Sequence, residues 1–406
     1  MKIAIIKPIL PYPLDQGARR VTHQILEALH GENELTLITR LTSKDEQKFI
    51  PDLSKLCSRI IAPLAPNKRS FFHRVAYRIF YLLKSVLLLR PAVVSYSCPG
   101  VLRKQLRALS KNVEFDVLQV ENWYSWPLAK DVRSKVKILL AHDIDFRVTE
   151  RRLSLPGAGP GRFLKRLTGW CEKRAELRAL NESDAIFTLT DEDSRAVKEC
   201  VGRDSSVLPF CGSTDLAGDI LEKREERSIL FLGSFRADFN RDAAAHMVNE
   251  IFPLVKKNVP DAKLYLVGSF PTEKIFSFSG SGVVVAGNVQ DVGQYFGMAQ
   301  VFALPLRYGG GLRVRLFEAM AHGMAVVTTR IGRSGVPGED GVHFLVRESP
   351  QEFALGLSTL LKDRVLRERL GKNARDLIKN KCNKADTFAR IRALYRSQSH
   401  SETAAS

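Results

Sequence analysis

Short apolar runs alternate with amphipathic stretches of helix length along nearly the whole chain. Apolar runs bounded by polar or turn residues predict buried strands at Lys2–Lys7, Glu34–Thr39, Arg59–Pro63, Val117–Val120, Val136–Ala141 and Ala185–Leu189. Between them Ala18–Leu29, Val101–Leu109, Phe163–Glu182 and Asp191–Glu199 carry helical spacing. Strands are predicted again at Ser228–Gly233, Lys263–Val267, Val283–Ala286, Val301–Leu304 and Ala325–Thr328, with helices between. Such alternation predicts an α/β fold built on parallel sheets. A chain of 406 residues is too long for one ordinary core, so two domains are expected. The segment Val207–Gly212, ahead of the charge-rich Glu222–Arg227, marks the division. The expected plan is two doubly wound, Rossmann-like domains facing across a cleft, at residues 1–210 and 211–383. A helix over 384–396 is expected to cross back to the first domain, followed by a disordered polar tail over 397–406.

Parallel sheets place binding loops at the carboxyl ends of their strands. The most informative such loop follows Ala299–Leu304 and reads Pro305-Leu306-Arg307-Tyr308-Gly309-Gly310-Gly311-Leu312-Arg313-Val314-Arg315. Leu312–Ala321 then has helical spacing. Strand, glycine loop and helix N-terminus together make an anion site, because unpaired N–H groups and the helix dipole both favour a phosphate there. Arg313 and Arg315 add full positive charge, so this is where a nucleotide diphosphate is expected, with Gly309, Gly310 and Gly311 supplying backbone amides. Glu318, about one turn along, suits either ribose hydroxyls or simply the dipole of the helix start.

Three further residues stand at strand ends or loop starts. Gly17 opens a helix after Pro11–Gln16 and lets a ligand approach closely, although a glycine there also serves as an ordinary turn. His142 follows Ile138–Ala141, and Glu121 follows Val117–Val120. The pair suits proton transfer from an acceptor hydroxyl, with Glu121 the acceptor contact; a strand-end histidine also caps backbone groups.

Composition narrows the partners. With 62 Lys+Arg against 44 Asp+Glu the net charge is +18, which points to polyanionic or phosphorylated partners. The six cysteines have no metal-ligand spacing, so reduced thiols are expected and no metal. Met1–Ile6 starts a strand directly and runs into Lys7-Pro8, too short for a signal sequence. No uncharged apolar run reaches the roughly 18 residues of a membrane span. A cytoplasmic protein is expected.

From Ile229 to about Lys381 the chain resembles the donor domain of the family-4, GT-B-fold glycosyltransferases. The matching residues run in order. They are Phe231-Leu232-Gly233-Ser234, Asn240-Arg241-Asp242-Ala243, Ile251–Val255, Pro260–Gly268, Val285–Val292, the glycine loop, Val326–Gly332 and Asn373-Ala374-Arg375. The resemblance implies a nucleotide diphosphate-sugar donor, no cofactor, a saccharide or lipid-linked acceptor bound by the first domain, and retention of anomeric configuration. It also implies donor contacts from Gly233, Ser234 and Arg236, and a histidine at the place of His142 that faces the donor sugar. Two departures stand out. The family commonly carries two glutamates eight positions apart; here the second is Glu318 and the first position is Gly310, as in the subgroup with a Gly-Gly-Gly-x-Arg-x-Lys/Arg loop. Ser234 replaces the arginine often found after the Gly233-type glycine, leaving Arg236, Arg241, Arg313 and Arg315 to meet the phosphates.

The basic excess is concentrated. Asn67–Arg90 holds Lys68, Arg69, Arg74, Arg78, Lys84 and Arg90 without an acidic residue. Arg147–Arg178 adds Arg151, Arg152, Arg162, Lys165, Arg166, Lys173 and Arg174 around Leu164, Leu167 and Trp170. Basic amphipathic helices with aromatic residues suit an anionic membrane surface at the inner face of the membrane, and equally ordinary helices with solvated basic faces. Two other functions compete with a glycosyltransferase. A sugar-nucleotide epimerase of the same two-domain shape needs a set of carboxylates around the donor sugar, and Gly310 removes the foremost of them. A nucleic-acid-binding protein would account for the charge, but no recognisable nucleic-acid motif is present, so nucleic acid is not expected as a partner.

Overall fold

The computed structural model describes residues 1–64, 91–155, 162–212, 224–289 and 291–400. The chain divides into two compact units, Met1–Pro209 with Thr387–Ser406, and Phe210–Asp386. The basic segment 67–90, most of the linker ahead of Arg227, and residues 401–406 lie outside the described residues.

In the first unit the strands are β1 (Lys2–Ile6), β2 (Glu34–Ile38), β3 (Arg59–Ile61), β4 (Phe115–Glu121), β5 (Ser134–Leu140), β6 (Ala185–Thr188) and β7 (Ser206–Val207). They form one sheet in the order β3-β2-β1-β4-β5-β6-β7, with every pairing parallel. In the second unit β8 (Ser228–Leu232), β9 (Lys263–Gly268), β10 (Val283–Gly287), β11 (Val301–Leu304), β12 (Ala325–Thr328) and β13 (Leu345–Val346) form a parallel sheet ordered β10-β9-β8-β11-β12-β13. Each unit is therefore a doubly wound, Rossmann-like α/β domain, as the apolar pattern predicts. In each, the strand order reverses beside the unit's first strand, between β1 and β4 and between β8 and β11. Loops at such a reversal diverge, and the crevice they leave is where open α/β sheets bind ligands.

The central strands are continuous apolar runs because helices cover both faces. Ile3, Ile5, Ile6, Val117, Leu118 and Val120 are buried in the first unit, and Ile229–Phe231, Val301–Ala303 and Ala325–Val327 in the second. The helix Gly17–Leu29 turns Val21, Ile25, Leu26 and Leu29 inward at helical spacing. Two strands escape the sequence pattern, β7 and β13, each too short to show periodicity.

The chain returns to the first unit through the helix Lys384–His400. Tyr395 is fully buried there, donates to Gln119 Oε1, and packs edge-on against Phe187 with ring centroids 5.5 Å apart. Arg392 donates to the Ala28 carbonyl at 3.1 Å. The helix continues through Ser397–His400, a correction to the expected tail. Buried Tyr395 anchors this last turn, and the Ser397 and Ser399 hydroxyls donate to carbonyls one turn back.

Candidate active site

The second unit collects its candidate donor residues at the carboxyl edge of its sheet. After β11 the chain runs through Pro305–Gly311, and the helix Val314–Ala321 begins with Arg313 at its N-cap. The loop is fastened at its start. Arg307 grips Asp242 with two hydrogen bonds, Nε to Oδ2 at 2.9 Å and Nη2 to Oδ1 at 2.6 Å. Tyr308 donates its hydroxyl to Asp238 Oδ2 at 2.9 Å. Both aspartates belong to the helix Asp238–His246, which follows β8, so the loops on either side of the strand reversal are tied together.

Gly309 has a concrete steric reason. Its φ is +135°, and a Cβ there would lie 2.7 Å from Nη2 of Arg313. The guanidinium of Arg313 folds back over the glycine loop, donates through Nε to the Ile331 carbonyl at 3.2 Å, and lies 5.6 Å from the Phe239 ring centre. It is buried. This places a full positive charge against Gly309 and joins it to the loop after β12. Arg315 is half-buried in the first helical turn, 3.9 Å from the buried carboxylate of Glu318.

The loop after β8 is shaped by its own contacts. Asn240 donates to the Ser234 carbonyl at 2.9 Å, and Ser234 Oγ accepts from Ser269 Oγ at 3.0 Å. Gly233 lies so close to Gly268 at the end of β9 that a Cβ on Gly268 would sit 1.8 Å from the Gly233 carbonyl oxygen. Arg236 is exposed and stacks over Phe270 at 3.8 Å. Arg241, a candidate phosphate ligand from sequence, is instead spent on the loop. It donates to the Phe235 and Arg236 carbonyls and pairs with Asp238 at 2.8 Å. Of the four arginines expected from sequence to meet the phosphates, Arg236, Arg313 and Arg315 are the other three at this edge.

In the first unit His142 and Glu121 come together. β1 and β4 are in register with Ile6 opposite Val120, which brings the next residues, Lys7 and Glu121, side by side. Glu121 Oε2 accepts from Lys7 Nζ at 2.7 Å, from Thr22 Oγ1 at 2.8 Å and from His142 Nε2 at 2.7 Å. Burial alone would raise the carboxyl, but the Lys7 ammonium and the His142 ring outweigh it and hold the pKa at about 2. Burial pulls the Lys7 ammonium below the ordinary lysine value despite Glu121. An ionised carboxylate against a charged lysine is the state this geometry stabilises at neutral pH, because three donors converge on one oxygen.

Glu121 is wholly buried, so the acceptor contact expected of it is corrected: its oxygens face inward to Lys7, Thr22, His142 and Gln119. What it does is orient His142. With Nε2 held by the carboxylate, the other ring nitrogen, Nδ1, is turned away from Glu121. Gly17 is the first residue of the Gly17–Leu29 helix, with Gln16 as N-cap. Lys7 was visible in sequence only as the end of a strand; a lysine at the carboxyl end of a central parallel strand is the signal. Asp238 stands just before the matched run Asn240–Ala243 and Asp242 within it, but their partners lie 70 and 65 residues away.

Comparison with known proteins adds to this geometry. Residues 226–363 match the family described as glycosyl transferases group 1. Along 96% of the chain and 98% of its own length, an uncharacterised 44.6 kDa protein of the cps region of Klebsiella pneumoniae is 21% identical. The capsular polysaccharide biosynthesis glycosyltransferase CapM of Staphylococcus aureus is 26% identical over 38% of this chain and 43% of its own. The fold is that of Anabaena Alr3699/HepE, solved in complex with UDP and glucose: TM-score 0.67, 13% identity, covering 98% of this chain and 100% of that one. The architecture is therefore GT-B. Among the described residues no helix is long and apolar enough to cross a membrane.

Proposed function

We propose that the protein is a glycosyltransferase that moves a sugar from a nucleoside diphosphate-sugar to a saccharide or lipid-linked acceptor in capsule or related polysaccharide biosynthesis. The observation that carries this reading is the glycine loop of the group 1 domain. The buried Arg313 packs against Gly309 of the Gly309–Gly311 loop, with Arg315 in the helical turn that follows, at the sheet edge where the strand order reverses. Backbone amides and fixed cations there stabilise the charge of a departing diphosphate, and the arginines do the work of a metal ion. UDP is the first nucleotide to test, since the similar Anabaena structure was solved with it.

His142 is assigned the acid–base or hydroxyl-binding role, acting through Nδ1, with Glu121 as its positioning residue. A proton taken up at Nδ1 is stabilised by the carboxylate already bound at Nε2. Retention of configuration follows the family resemblance, and a disaccharide product analysed by NMR reads it directly. Contact with an anionic membrane surface is favoured by one observation: Trp170 and Leu167 are 51% and 36% exposed on the helix Arg162–Glu182, beside the exposed Arg166 and Arg174.

The test is acceptor-dependent release of nucleoside diphosphate from a panel of UDP-, GDP- and ADP-sugars with EDTA present. Turnover that survives EDTA and falls in His142→Ala supports the assignment. Nucleotide binding without turnover on any acceptor would leave a binding protein in its place.

A further inference from the structure

The second unit holds a cavity of about 1300 Å³ at the opposite edge of its sheet from the glycine loop. Gln300 and Gly323 line it, and these residues precede β11 and β12, whereas the donor loops follow the same strands. Four residues of β11 at about 3.3 Å each put roughly 13 Å of strand between the two edges. Seven cationic side chains line the cavity against three acidic ones.

Two of the lining arginines are held by backbone carbonyls. Arg224 donates to the His322 carbonyl at 2.8 Å and, more loosely, to that of Gly323 at 3.5 Å. Arg367 donates to the Leu360 and Leu361 carbonyls at 2.7 and 3.4 Å. Among the described residues neither guanidinium has a carboxylate within 4.0 Å, and the buried Nε of Arg224 has no hydrogen-bond partner. Burial, and then the like charge of Arg367, lower the pKa of Arg224 to about 10. The neighbouring imidazole responds to the same field: burial, then Arg224 and Arg375, lower the His322 pKa. Lys372, Arg375 and Lys379 extend the charge along the helix Arg364–Lys381, at the three- and four-residue spacing that puts them on one face.

We propose that this cavity is a second anion site, for a compact phosphate-bearing small molecule of the size of pyrophosphate or a sugar phosphate. Guanidinium groups match phosphate oxygens with paired N–H donors, and carbonyl bonds to Arg224 and Arg367 leave several donors on each. Among the described residues no aromatic side chain lines the cavity, so the lining recognises charge and not a base or a sugar ring by stacking. A phosphate in the cavity would meet the guanidinium groups of both Arg224 and Arg367, which line it. The site is separate from the glycine loop and does not depend on what that loop binds.

The experiment is calorimetric titration of the full chain with pyrophosphate at low salt, in saturating UDP so that the donor edge is occupied. Wild type binds one pyrophosphate, and affinity falls steeply with added salt. Lys372 and Lys379 are exposed, so Lys372→Glu/Lys379→Glu folds normally and weakens binding at least about tenfold; Arg367→Gln does the same, and Arg315→Met leaves it unchanged. Equal affinity in wild type and the charge-reversed variant overturns the proposal, as does absence of binding. A third arm adds vesicles containing phosphatidylglycerol. Charge-dependent capture by vesicles with no pyrophosphate binding assigns the patch to a lipid surface and also overturns it.

Discussion

Replacing Glu121 by Gln removes one charge from the most enclosed ionic contact of the first unit and leaves its shape. Lys7 Nζ and Glu121 Oε2 are 2.7 Å apart with side chains 1% and 0% exposed. Deleting one partner of such a pair strands the other charge in a low-dielectric interior, which costs about 3–5 kcal/mol. The carboxyl gives a similar figure by a separate route. Its pKa moves from 4.5 to about 2, which at about 1.36 kcal/mol per unit is roughly 3 kcal/mol. Lys7 pulls the other way, since burial lowers its pKa in spite of Glu121. The pair together is therefore worth much less than the loss on breaking it. Lys7→Met/Glu121→Gln should recover most of the stability that Glu121→Gln loses. The assay is urea unfolding followed by tryptophan fluorescence. All three tryptophans, Trp123, Trp126 and Trp170, lie in the first unit, so the signal reports that unit alone. In a thermal scan the single variant should fall by roughly 6–20 °C, at about 2–4 °C per kcal/mol for a unit of this size. A loss below about 1 kcal/mol, or strictly additive single and double variants, would refute the reasoning.

Three further outcomes are expected. A carboxyl depressed in the folded state contributes stability above its unfolded pKa and loses it on acidification, so wild type should lose the Glu121 contribution as pH falls from 4.5 towards 2, and Glu121→Gln should show no such loss. Asp145 has the opposite sign: burial, then Asp143, raise it to about 7, so its ionisation should destabilise the first unit as pH rises from about 4 to 7. Asp145→Asn keeps an acceptor for Trp123 Nε1, and its urea midpoint should gain on wild type between pH 5 and pH 8; parallel profiles would count against that assignment. Gly268→Ala drives a methyl group into the Gly233 carbonyl and should destabilise the second unit by about 3 kcal/mol, read by circular dichroism, with nucleotide binding lost alongside.

The sheets were legible because a strand buried on both faces reads as a continuous apolar run, and β11 and β12 fall on the expected residues. The glycine loop was legible for the same local reason, since strand, glycines and helix are adjacent in sequence. What sequence hid was every contact set by register or by distant packing. Glu121 appears as a strand-end carboxylate open to an acceptor; only the alignment of β1 with β4 shows Lys7 closing over it. Arg241 appears as a free cation until the turn after β8 wraps its carbonyls around it. Arg224 and Arg367 carry no motif at all, and become a pair only when the Arg364–Lys381 helix packs on the second unit's core.

The central claim is that the Gly309–Arg315 loop holds a diphosphate. Titration of uridine, UMP and UDP into wild type and Arg315→Met, followed by calorimetry at fixed ionic strength, tests it most directly. Arg315 is 19% exposed and lies 3.9 Å from the buried Glu318 carboxylate, so circular dichroism first checks that Arg315→Met is folded. The account predicts that affinity rises with each phosphate in wild type, and that Arg315→Met erases most of the gain from UMP to UDP while leaving uridine unchanged. The same phosphate dependence in both proteins, or none in wild type, would contradict it.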